Sequence, residues 1–179
     1  MAFTYRETTG AANDVEQEII DSGGQALALQ ADSADPEALR AARLLAVNVR
    51  TIFVAIQAAL PHFDAAGRII SIGSVLADRA PISGISVYAL TKAAIAGLAR
   101  NLARELGPRG ITVNTIQRGP VATDMNPDSE DFADTVRSLT AVGHYGQPHD
   151  VADDVAFLAR VEARFVTGTT WNVDGGYAL

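Results

Sequence analysis

Apolar runs of strand length alternate along the chain with segments whose apolar positions recur at helical spacing. Ala2–Tyr5 reads as a short strand. Ala11–Ser22 places Val15, Ile19 and Ile20 at helical spacing, and Gly23-Gly24 ends that helix. Ala26–Gln30 is a second strand. Asp32–Asp35 is a polar turn, and Pro36 suits the first position of a helix that nothing breaks until about Leu60. RIISIGS, residues Arg68–Ser74, is a third strand. Val87–Leu106 is a long helix closed by Gly107-Pro108. Ile111–Gln117 is a fourth strand. Residues 124–147 are polar, with a short helix over Asp131–Leu139. Pro148–Ala159 is a further helix, and Thr169–Val173 a last strand before Asp174-Gly175-Gly176. Strands separated by helices predict βαβ units and a mainly parallel sheet, an α/β fold. No internal repeat or low-complexity linker interrupts the pattern.

Composition narrows the class. The 179 residues suit one compact domain spanning 1–179. A hydrophobic content of 48% with 20% charge excludes a disordered tail. The net charge of -7 argues against a nucleic-acid partner, which usually meets a basic face. With no cysteine there is neither a disulfide scaffold nor a thiolate metal site, which fits a reducing cytosol. The N-terminus MAFTYRETTG lacks the apolar core of a signal peptide. Asn48 and Arg50 interrupt the most apolar stretch, LLAVNVRTIFVAIQAAL, which falls short of the roughly 18 uninterrupted apolar residues of a spanning helix. The expectation is a cytoplasmic protein with no membrane or nucleic-acid partner.

The chemistry begins with the basic residues. Thirteen of the 14 are Arg, and the one lysine, Lys92, follows Tyr88 by four positions near the start of a helix. That spacing puts both on one side. A phenol is a poor base at neutral pH, and a neighbouring ammonium favours its phenolate, so the pair can pass a proton to or from a reacting oxygen. An ordinary surface contact has the same spacing. Ser74 ends the RIISIGS strand, where the binding crevice of an open α/β sheet lies. Its hydroxyl suits either a substrate carbonyl or a turn. Asn48 interrupts an apolar helical run and is either solvent-facing or part of a polar network. His62, His144 and His149 show no metal-ligand spacing and read as surface residues, so no metal is expected. Trp171 and Phe165 read as core or subunit-interface residues.

Ser74, Tyr88-x-x-x-Lys92, ITVNTIQRGPVATDM and FVTGTTWNVDGG, in that order and over nearly the whole chain, resemble the short-chain dehydrogenase/reductase family. The likeness is to the branch containing 3-oxoacyl-carrier-protein reductases. The resemblance implies a Rossmann-like, doubly wound parallel sheet and a catalytic set of Ser74, Tyr88, Lys92 and Asn48. Tyr88 would be the acid/base and Ser74 would orient the carbonyl. Lys92 would bind the nicotinamide ribose and favour the phenolate of Tyr88. Asn48 would hold a helix kink and the water of a proton relay. Thr123 matches the family threonine at the carboxamide, with Gly119 and Val121 beside it. Asp32 resembles the acidic residue near the adenine. Arg6, at the end of the family's second strand, suits a 2′-phosphate, so NADP(H) is expected rather than NAD(H). A small carbonyl or alcohol substrate and a homo-oligomer, dimer or tetramer, are the implied partners. Residues 124–145 match the family's substrate-covering segment.

Three departures stand out. The family's TGxxxGxG turn, whose backbone approaches the pyrophosphate, is absent. So is its NNAG motif, because ADSADPEALRAA runs directly into RLLAVNVRT. The expected sheet is therefore truncated, with about five strands instead of seven, closing up as one smaller sheet. Arg118 replaces the proline that relatives carry before the glycine of this turn, which predicts a looser loop because φ is no longer fixed. The alternative function is a catalytically inactive remnant or fragment retaining the oligomerisation helices, Pro36–Leu60 and Val87–Leu106.

Overall fold

The computed structural model describes residues 2–5, 9–21, 27–30, 36–124, 126–129 and 132–179. They fall in two compact units, Met1–Val54 and Ala55–Leu179.

In the first unit, β1 (Ala2–Tyr5) and β2 (Leu27–Gln30) pair in parallel, Ala2 opposite Leu27 and Tyr5 opposite Gln30. A parallel pair needs a crossover, and α1 (Thr9–Asp21) supplies it. Val15 and Ile20 on α1 stay exposed. A sheet of two strands offers little face to cover them. α2 (Pro36–Leu45) starts at its proline and passes into a π-helical turn, Ala46–Arg50. There Thr51 Oγ1 donates to the Ala46 carbonyl at 3.0 Å. α3 (Thr51–Ala59) follows.

Helical structure is continuous over Arg40–His62, and its most apolar window has a mean hydropathy of 1.6. By length and composition alone it could cross a membrane. Against that, Arg50 lies near the midpoint, where a charge costs about 2.5–3.5 kcal/mol in a bilayer.

The second unit holds a parallel sheet in the order β3-β4-β5. Its strands are β3 (Arg68–Ser74), β4 (Thr112–Arg118) and β5 (Thr170–Val173). Arg68 pairs with Thr112, and the register runs unbroken to Ser74 opposite Arg118; Val173 pairs with Arg118 on the other side. β4 is thus the central strand. Its residues are buried from Thr112 to Gln117, as a parallel strand covered on both faces requires. Asn114 is tolerated there because its amide donates to the Val166 carbonyl at 2.8 Å and accepts from Thr169 N–H at 3.3 Å.

α4 (Ser86–Leu106) buries Thr91, Ile95, Ala96, Ala99, Leu102, Ala103 and Leu106, the one-sided stripe of an amphipathic helix. Gly110, at φ +73°, ends the turn after α4 in a left-handed conformation that favours glycine. α5 (Ala133–Leu139) and α6 (Pro148–Ala159) complete the unit. Ile116 of β4 packs with Leu158 and Ala163.

The fold is Rossmann-like, with five strands among the described residues. β1 and β2 pair within the first unit, and β3, β4 and β5 pair within the second. Trp171 is half-buried, edge-on to Phe157 at 5.8 Å. Phe165 is 98% exposed, so it is not a core residue.

Ile116 is fully buried at the centre of this sheet. Ile116→Ala is expected to cost about 2–5 kcal/mol in denaturant unfolding, the range for emptying a packed site. A cost under about 1 kcal/mol would show that β4 is not the core strand.

Candidate active site

The register of the three-stranded sheet brings Ser74, Arg118 and Val173 level at the C-terminal strand ends. Each strand then turns away, which leaves a crevice. It is a cavity of about 700 Å³ lined by Ser74, Tyr88, Arg118, Gly119, Thr123 and Asp124 among its polar and turn residues. Its apolar wall includes Ile82, Ile85, Phe132 and Val136.

Ser74 is buried and sits in extended backbone at the start of a short 3₁₀ turn. Its Oγ accepts from the Leu76 N–H at 3.2 Å. The hydroxyl proton is thereby left for another acceptor.

Tyr88 and Lys92 come from the first turns of α4. Thr91 Oγ1 donates to the Tyr88 carbonyl at 2.7 Å. Lys92 Nζ donates to the Ile72 carbonyl at 3.3 Å and stands 5.6 Å from the Tyr88 ring centroid. That places a cation within about 6 Å of the ring, inside the range of a cation–π contact. Burial withdraws the ammonium from water and lowers its pKa below the usual 10.5, and the guanidinium of Arg118 adds to the shift.

The turn after β4 is pinned rather than loose. Gly119 N–H donates to the Val173 carbonyl at 2.9 Å. Gly146 N–H donates to the Pro120 carbonyl at 2.9 Å, and Ala122 N–H to the Gly146 carbonyl at 3.0 Å. A β-carbon on Gly119 would lie 2.5 Å from the Cα of Asp174, so glycine is required there. The freedom gained by replacing proline with Arg118 is removed by these bonds, which corrects the expectation of a looser loop. Thr123 lines the cavity and exchanges backbone hydrogen bonds with Asn126.

The structure therefore gathers Ser74, Tyr88, Gly119 and Thr123 around one cavity, with Lys92 against the Tyr88 ring. Val121 is buried next to them in sequence. Asn48 belongs to the first unit, in the middle of the π-helical turn, a feature frequent at functional sites. Arg6 and Asp32 lie outside the described residues.

Tyr177 was not singled out from the sequence. It is buried, lines the cavity and carries the Arg79 guanidinium 5.1 Å from its ring centroid. Burial raises the pKa of its phenol and the Arg79 charge opposes that. The Asp174-Gly175-Gly176 turn positions it: Asp174 Oδ1 and Oδ2 accept from the Gly176 and Ala178 N–H groups at 3.0 and 2.8 Å. The glycine pair was the only local signal.

Residues 19–178 match the family model described as enoyl-(acyl carrier protein) reductase. The chain belongs to the short-chain dehydrogenase/reductase family. It is 44% identical over 154 residues to the cyclic-di-GMP-binding biofilm dispersal mediator protein of Escherichia coli K12, covering 86% of this chain. The match spans 62% of that relative, less than two thirds of its length. A short-chain dehydrogenase/reductase from Serratia marcescens BCRC 10948 superposes with a TM-score of 0.77 at 40% identity, over 99% of this chain and 87% of that one. A short-chain dehydrogenase from Burkholderia cenocepacia J2315, solved with NADP, gives 0.74 at 40% identity with the same coverage.

The lowered pKa of Lys92 has a stability consequence. The unfolded chain holds that proton more tightly, so between the folded pKa and 10.5 it binds more protons than the native state. Stability then rises with pH across that window. Because Lys92 is the only lysine, ¹⁵N-lysine NMR reads one Nζ resonance. Its midpoint is expected below 10.5, and unfolding free energy relative to Lys92→Met should rise through the same window. A midpoint at or above 10.5 would contradict the burial argument.

Proposed function

We propose that the chain is an oxidoreductase that interconverts a small carbonyl compound and the corresponding secondary alcohol with NADP(H), Tyr88 being the acid/base. The observation that carries this reading is the Lys92 ammonium held over the Tyr88 ring while Tyr88 and Ser74 line one cavity. The Burkholderia cenocepacia neighbour, solved with NADP, supports the cofactor.

The nicotinamide-ribose end of such a cofactor fits the residues present. Lys92 Nζ spends one donor on Ile72, which leaves two of its three for ribose hydroxyls. Thr123, Gly119 and Val121 would meet the carboxamide end. The pyrophosphate end has no TGxxxGxG turn in this sequence to receive it. Arg6 would take the 2′-phosphate and Asp32 the adenine side. When bound, the cofactor supplies or accepts the hydride.

In the direction of reduction, Ser74 donates its hydroxyl proton toward the carbonyl oxygen. Its own oxygen stays oriented by the Leu76 N–H. Tyr88 gives its phenolic proton to the developing alkoxide, and the Lys92 cation stabilises the phenolate left behind. The family resemblance gives Asn48 the water of the proton relay. Oxidation runs these transfers in reverse.

Tyr88→Phe removes the transferable proton and keeps the ring. It is expected to lower kcat for NADPH-dependent reduction by about 10²–10⁴-fold. The NADPH dissociation constant should hold within about twofold, because the ring packing survives. Failure of the purified wild-type chain to bind NADPH in a fluorescence titration would overturn the oxidoreductase reading.

A further inference from the structure

The cavity beside Ser74 carries a charge that the chemistry above does not use. Arg118 is the register partner of Ser74, lines the same cavity and is half-buried. Its guanidinium spends one donor on the Gly119 carbonyl at 3.2 Å. Among the described residues it forms no ion pair; Asp124 lines the cavity without bridging to it. A guanidinium has five donors in a fixed fork that matches a carboxylate or phosphate. Arg118 at the cavity wall and Lys92 against the Tyr88 ring are therefore two half-buried cations whose charges act on each other, and among the described residues no protein anion is bonded to either. Like charges repel strongly where water is partly excluded. A ligand anion at this position relieves both. The remaining wall, Ile82, Ile85, Phe132 and Val136, is apolar.

We propose that Arg118 makes this cavity a site for a hydroxy or oxo acid: a ligand whose carboxylate lies close to the reacting carbon and whose remainder is apolar. The inference deepens the oxidoreductase reading, since it places the reacting carbon between Ser74 and Tyr88. The carboxylate pairs with the guanidinium fork at the strand end. The hydroxyl or carbonyl oxygen then meets Ser74 on the neighbouring strand, and the apolar remainder lies along Ile82, Ile85 and Phe132. The same fork would also accept a dinucleotide phosphate, and the experiment separates the two sources.

The test is isothermal titration of the full chain, without cofactor, with 3-phenyllactate and with its methyl ester. NADPH binding is measured alongside. Wild type is expected to bind the acid at least about tenfold more tightly than the ester, the scale of one charge-assisted pair. Arg118→Gln should erase that preference, and Arg118→Lys should keep part of it. The single lysine gives a second readout: the Lys92 ¹⁵N midpoint should rise in Arg118→Gln and on 3-phenyllactate binding to wild type. Equal affinity for acid and ester in wild type overturns the proposal, as does no binding of either. So does an Arg118→Gln variant that loses NADPH affinity and keeps the acid preference, which would assign the fork to the phosphate. An acid preference without NADPH binding would sink the oxidoreductase reading and leave this one standing.

Discussion

The unbroken parallel register between β3 and β4 is the constraint on which the site depends. Seven consecutive pairs, from Arg68 with Thr112 to Ser74 with Arg118, leave no freedom to slide one strand past the other. A shift by one residue would turn Ile116 to the opposite face, away from Leu158 and Ala163, and break the alignment of Ser74 with Arg118. β5 adds the third level position at Val173. The three turns that follow diverge, and the crevice is the space they leave. Everything chemical in the second unit is hung on that geometry: Ser74 at one strand end, Arg118 at the next, and Tyr88 and Lys92 delivered by the helix packed across β3 and β4.

Burial and charge then compete at the site. The Lys92 ammonium gives up part of its hydration to lie against the Tyr88 ring, and its one protein hydrogen bond goes to a carbonyl, not a carboxylate. That is a poor arrangement for stability and a useful one for a proton-transfer site, where a cation favours phenolate over phenol. Arg118, which lines the cavity, puts a second cation near Lys92. The pinned turn after it, held by Gly119, Ala122 and Gly146, keeps that guanidinium from swinging away with a mobile loop.

Much of the second unit was legible in the sequence because its local signals agree with its packing. RIISIGS reads as a strand and is one, with the same bounds. Pro148 opens its helix as its fixed φ suggests. The Tyr88–Lys92 spacing predicted a shared side, and a ring contact is what the helix delivers. Other features had no local signature. The looseness inferred at Arg118 rested on φ alone, and hydrogen bonds from residues 146 and 173 cancelled it. Tyr177 reaches the cavity only because Asp174 folds the last residues back with two backbone hydrogen bonds.

The sequence by itself determined the alternation of strands and helices, the membership of the family, and the pairing of Tyr88 with Lys92 on one side of a helix. Each of these is written in spacing or in an ordered set of motifs, and spacing survives without knowledge of the fold. Only the tertiary structure decided that Arg118 stands level with Ser74, that its charge reaches Lys92, and that Ile82, Ile85, Phe132 and Val136 line the same cavity as Arg118. Those facts come from residues brought together across 44 positions of chain between Ser74 and Arg118. Electrostatics and burial act through space, so their outcome waits on which strands pair and in what register.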